Sequence, residues 1–178
     1  LDGGGALMNQ SIHAIDLLQW FMGPVKSIQA FCDTLAHKRI EVEDVAVAAL
    51  RFESGALGVI EGSTAVYPGL LKKVEISGNK GTVIVEDEDI IRWEFEDELP
   101  EDKEIRENFA SKRSGGGGAA DPSAIGHENH RRQIVDMINA IEEDGKPMVD
   151  GHEGRKAVGI ILGIYESSQQ GKIVNLPL

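Results

Sequence analysis

The sequence predicts an α+β fold: an open, largely antiparallel β-sheet with helices packed on one face. Three observations predict it. One helix is followed by about six strands and then two helices, with no βαβ alternation. The strand segments succeed one another through short turns. The composition is globular, with 41% hydrophobic and 27% charged residues over 178 positions, enough for a single domain with a buried core.

Residues 3–22 read as a helix that Gly23 and Pro24 close, glycine by accepting a left-handed cap and proline by being unable to continue. Residues 25–35 are strand-like. Residues 44–52 alternate around Val45, Val47 and Leu50, Gly55 makes a turn, and 56–66 return as the second strand of a hairpin. Residues 72–77 alternate Val74 and Ile76, and Gly78-Asn79-Lys80-Gly81 turns the chain into 82–86. A short strand follows at 89–95. Residues 111–126 contain four consecutive glycines, Gly115 to Gly118, and predict a flexible loop. Two helices complete the chain. Residues 128–143 align Ile134, Met137, Ile138 and Ile141, and 153–170 align Val158, Ile161, Leu162 and Tyr165 before Gly171. Helices on one face leave the other face of the sheet, with Val45, Val47 and Val59 or their alternates, in need of cover. A homo-oligomer packed sheet to sheet is expected.

The formal net charge is −12, from 18 Lys+Arg against 30 Asp+Glu. That sign argues against a nucleic-acid partner and against an anionic membrane surface. Eleven acidic side chains fall within residues 86–104 against Arg92 and Lys103, which reads as a solvated strand edge and loop. Cys32 is the only cysteine, so neither an intramolecular disulfide nor a thiolate metal cage is available, and a reducing, cytoplasmic setting is expected. No apolar run has membrane-spanning length.

No dinucleotide fingerprint is visible. Gly3-Gly4-Gly5 and Gly115 to Gly118 follow no strand and lack the G-x-G-x-x-G spacing. No phosphate-binding loop, G-x-S-x-G elbow or H-E-x-x-H pair occurs, and His127-Glu128-Asn129-His130 reads as a helix start and not as a metal site. No metal ligand set is expected.

The first helix carries the chemistry. On a wheel of about 100° per residue, Asn9, His13 and Asp16 fall within roughly 60° of one another, and Trp20 continues the stripe. The remaining positions are so apolar that the helix is expected to be buried, with each polar group satisfied by a partner. Two readings stand. The stripe is a set of bonded core polar groups, or it lines a cleft with His13 as proton carrier and Asn9 or Asp16 orienting it.

The run from Gly3 to Asp16, Gly-Gly-Gly-Ala-Leu-Met-Asn-Gln-Ser-Ile-His-Ala-Ile-Asp, resembles the signature helix in the C-terminal domain of the Gfo/Idh/MocA oxidoreductases. The likeness returns in Glu43-Asp44-Val45-Ala46, in Tyr67-Pro68-Gly69, in Gly78-Asn79-Lys80-Gly81-Thr82 and in Tyr165-Glu166-Ser167-Ser168. The resemblance implies a two-domain dehydrogenase of a sugar, polyol or nucleotide-sugar derivative. An N-terminal Rossmann domain, outside this chain, would bind NAD or NADP and supply a catalytic lysine; none of the cofactor-binding residues is expected in these 178, which alone would bind no nicotinamide. The family helix carries Asp-x-x-x-His; His13 matches, and Asn9 stands at the Asp position. The resemblance implies His13 as the catalytic proton carrier; from their chemistry and position, Asn9, Gln10, Asp16, Tyr67 and His127 are candidate substrate contacts. Read from position alone, His127 at a helix start is structural or exposed, Tyr67 is a packing aromatic, and Trp20 and Trp93 are core and sheet-face anchors. Asp44 reads as a turn or sheet-edge contact, and His37 and His152 as exposed. The alternative from another class is a non-enzymatic α+β module that binds or assembles through its open sheet.

Overall fold

The computed structural model describes residues 4–87, 89–110 and 127–177. The expected glycine-rich loop at 111–126 lies outside the described residues. The chain groups into two compact units, Leu1–Val66 with Gly126–Leu178, and Tyr67–Ile125.

The first unit opens with a π-helical turn at Leu7–Ser11 that runs into α1 (Ile12–Met22). Gly23 closes α1 at φ +79°, its amide bonded to the Gln19 carbonyl. Strands β1 (Val25–Asp33), β2 (Val45–Phe52) and β3 (Leu57–Ser63) follow. Gly55, at φ +90°, makes the β2–β3 turn, a conformation glycine adopts without steric penalty. After the second unit come α3 (Glu128–Glu142), α4 (Gly151–Gln170) and the short β7 (Val174–Asn175). The sheet order is β3-β2-β1-β7, antiparallel throughout.

Period-two alternation sorts the two faces of this sheet. Inward go Ile28 and Ala30 of β1, Ala46, Ala48, Leu50 and Phe52 of β2, and Ile60 of β3. They meet Leu7 and Ile15 from the first helix and Ile160, Ile161 and Ile164 from α4 in one cluster. Burying side chains of this size contributes about 1.5–3 kcal/mol each. A side chain at Gly163 would press on Ile28, so that glycine sets how closely α4 approaches β1. Outward go Phe31, Val47, Leu57 and Val59, all exposed.

β7 pairs with β1 only at Ser27 and Ile28. Beyond that point the amides of Ala30 and Cys32 would be orphaned on a strand edge. Ser167 Oγ accepts from Ala30 N at 3.0 Å, and Ser168 Oγ accepts from Cys32 N at 2.8 Å. Two side chains of α4 thus finish the ladder that β7 leaves short.

α3 holds Ile134, Met137, Ile138 and Ile141 on one side as the spacing predicts, but all four are exposed; Ala140 is its buried residue.

The second unit contains β4 (Lys73–Gly78), β5 (Gly81–Glu86), β6 (Asp89–Phe95) and α2 (Pro100–Ala110). The strands form their own antiparallel sheet, β4-β5-β6. The antiparallel pairing matches the sequence expectation, but the strands make two sheets where one was expected. Pro68 and Gly69, the latter at φ +87°, lie between β3 and β4, and the chain leaves the first sheet there instead of pairing back. The acidic run is a second correction. Its end folds as α2, and Asp102 is buried, accepting from Trp93 Nε1 and Leu99 N at 2.7 Å each. The bond from Trp93, then that from Leu99, holds the Asp102 carboxyl below its ordinary range.

Candidate functional site

The candidate site is built on the first helix, and its placement begins with the helix start. The Ala6 amide donates to the Glu43 backbone carbonyl at 3.0 Å. The Leu7 amide donates to Glu43 Oε1 at 2.9 Å, and the Tyr165 hydroxyl donates to the same oxygen at 3.0 Å. Glu43 therefore satisfies two of the amides that a helix start leaves without partners. Leu7, Ile15 and Gln19 then face the core.

The opposite side carries Asn9, Gln10, His13, Asp16 and Trp20, all exposed. The stripe expected from the wheel is present, but its expected burial is not. Trp20, expected as a core anchor, is 69% exposed and stacks against Phe21 with ring centroids 5.0 Å apart. Facing solvent, these polar groups need no internal partner. The side chains of His13 and Asp16 make no hydrogen bond among the described residues. Gln10 Nε2 donates to Asn9 Oδ1 at 3.1 Å, which leaves the Asn9 amide nitrogen available as a donor. The π turn is a local irregularity of a kind that recurs at functional sites.

His127 precedes α3, is exposed and makes no side-chain cap bond. Tyr67, at 95% exposure, belongs to the second unit. His127 is not joined to the stripe by a hydrogen bond among the described residues. His37 is half-exposed and bonds through Nδ1 to Asp44 Oδ2 at 3.0 Å.

Of the two readings of Asp44, turn or sheet edge, the structure shows the turn contact, in the loop between β1 and β2. Asp44 is fully buried and accepts from the amides of Leu35, Ala36 and His37, each at 2.8 Å. Those bonds, led by that from Leu35, hold its carboxyl far below the usual carboxylate range. Sequence reasoning also missed Glu43 and Tyr165 as the supports of the helix start. Their separation of 122 positions hides the contact. Among the described residues no group of three or more His, Cys, Asp and Glu side chains is placed to hold a metal, and no helix is long and apolar enough to cross a membrane.

Comparison with known proteins bears on this helix directly. Residues 1–84 match the profile of the GFO/IDH/MocA C-terminal domain. Over that stretch the chain is similar to a GFO/IDH/MocA C-terminal domain. The matched span holds Asn9, Gln10, His13, Asp16 and Tyr67, while His127 falls beyond it. The chain is 24% identical over 177 residues to a myo-inositol 2-dehydrogenase of Thermotoga maritima, covering 97% of this chain and 49% of that protein. It is 36% identical over 83 residues to the uncharacterised oxidoreductase YrbE of Bacillus subtilis, covering 44% of this chain and 24% of that one. Among solved structures, the WlbA dehydrogenase of Bordetella pertussis in complex with NADH and UDP-GlcNAcA superposes with a TM-score of 0.82 at 37% identity, over 98% of this chain and 49% of that one. The chain thus spans about half the length of the inositol dehydrogenase and of the WlbA chain.

Proposed function

We propose that this chain is the substrate-facing and assembly half of an NAD(P)-dependent oxidoreductase acting on a secondary alcohol or ketone of a sugar, polyol or nucleotide-sugar derivative. The observation that carries the proposal is the exposed stripe of Asn9, His13 and Asp16 on a helix whose other side is locked into the core. An imidazole at that place can take the proton of a substrate hydroxyl near neutral pH. Asn9 offers its amide to a second hydroxyl, and Gln10 and Asp16 stand at the rim. The WlbA complex, at 37% identity, favours a nucleotide sugar over a free polyol.

The described helix starts argue against a dinucleotide site among the described residues. Phosphate binding uses free amides at a helix N-terminus. Here Glu43 occupies those before the π turn, Asp102 sits in the first turn of α2, Glu128 in that of α3, and Asp150 accepts from His152 N and Glu153 N at α4. Nicotinamide, bound by an N-terminal half like that of the relatives, would accept or return the hydride, and a lysine of that half would share the proton with His13. The outer face of the first sheet, with Phe31 and Val59 at 73% and 70% exposure, suits cover by a second copy.

The test uses the full-length enzyme with NAD, NADP, a UDP-linked sugar acid and myo-inositol as alternatives. His13→Ala should lower turnover by roughly 10²-fold, the scale of a lost acid–base group. Its melting temperature should barely move, because the ring is exposed. Asn9→Asp should raise the imidazole's pKa and shift the basic-group limb of the pH–rate profile upward. Normal turnover by His13→Ala would reject the proton-carrier role.

A further inference from the structure

We propose that Glu43 and Tyr165 form a latch that positions the π turn, and through it Asn9 and His13, for catalysis. The inference rests on the proton-carrier reading of His13.

His13 makes no side-chain hydrogen bond among the described residues, so nothing on its outer side sets its location. That location is inherited from the backbone of the turn before it. A π turn is rare and uses longer-range backbone bonds than an α-helix, so it relies on outside support. Here the support comes from both ends. At the far end, Ser11 lies on the backbone of Gly62 in β3, where any Cβ would overlap its hydroxyl. At the near end, Glu43 takes the amides of Ala6 and Leu7, and its carboxylate rests on Gly5, where a Cβ would collide with it. Glu43 is itself held. Its neighbour Asp44 is anchored by three amides, and Tyr165 reaches from α4 to the same Oε1 that the Leu7 amide uses. Burial, then the bond to Glu43, pushes the Tyr165 phenol above its ordinary value, so the hydroxyl remains a donor. The link runs from α4 through Tyr165 and Glu43 to Leu7, two residues before Asn9 and six before His13. A shift of about 1 Å in a catalytic group can lower rate by about 10²-fold.

The experiment is steady-state kinetics on the full-length enzyme, with rates per folded active site and thermal melts on the same preparations. Tyr165→Phe and Glu43→Ala should each lower kcat by about 10-fold or more while leaving KM for the dinucleotide unchanged. Glu43→Gln keeps an acceptor oxygen and should recover at least about 5-fold over Glu43→Ala. The double variant E43A/Y165F should be no slower than E43A alone, because both break one link. A purely structural pair would lower the melting temperature and leave kcat per folded site intact. If His13→Ala is slow while Tyr165→Phe and Glu43→Ala turn over within about 2-fold of the parent, the latch is overturned and the role of His13 stands. If His13→Ala is itself normal, both fall.

Discussion

Ser167 is the side chain whose removal tests the account of the first sheet most directly. It is fully buried, accepts from Ala30 N at 3.0 Å and donates to the Lys172 carbonyl at 2.7 Å. Replacement by alanine deletes both bonds with little change in volume. Ala30 is buried on β1 beyond the reach of β7, so its amide loses its partner without access to water, at about 1–3 kcal/mol. Lys172 is exposed, so its carbonyl regains water and only the net value of a hydrogen bond is lost, about 1 kcal/mol. The sum is about 2–4 kcal/mol, or roughly 4–16 °C in melting temperature for a chain of this length. Ser168→Ala is the control. It frees the amide of half-buried Cys32 and should lose no more than about 1 kcal/mol. Urea titrations followed by circular dichroism give both values. Equal losses from the two variants, or less than about 0.5 kcal/mol from Ser167→Ala, would refute the argument that these serines complete the strand edge.

Two further outcomes are expected. Val59→Glu puts a charge on the exposed outer face, on the edge strand β3 beside Ala49, and light scattering on the full-length protein should show a smaller assembly with an unchanged melting temperature; an unchanged mass would reject that face as the interface. Because its folded-state pKa is depressed, Asp44 contributes stability that is complete above its unfolded value of about 4 and is lost as pH falls through the folded one. Asp44→Asn should therefore lower stability at neutral pH and flatten its acid dependence below about pH 4, since an amide offers one acceptor oxygen and turns its own donors toward three amides and an imidazole. Parallel acid titrations of the two proteins would contradict this.

The local signals of the sequence were legible because short-range geometry governs them. Gly23, Gly55 and Gly171 stop or turn the chain where positive φ is needed. The alternation in β2 was legible as a strand but not in its faces: Leu50, grouped with Val45 and Val47 from the sequence, turns inward with Ala46, Ala48 and Phe52 while Val47 faces out. The stripe of Asn9, His13 and Asp16 followed from helical spacing alone, and the family of the segment from its order of residues. Which side of that helix faces water did not follow. The wheel counts apolar positions, but burial depends on how much neighbouring surface exists to cover them, and β3 and α4 cover only the side of Leu7 and Ile15. Trp20 and the apolar stripe of α3 remain exposed for the same reason. The π turn, the Glu43–Tyr165 link and the fourfold anchorage of Asp44 depend on groups that are distant in sequence or specified only by backbone direction. Periodicity reports which residues share a face; tertiary packing decides what that face meets.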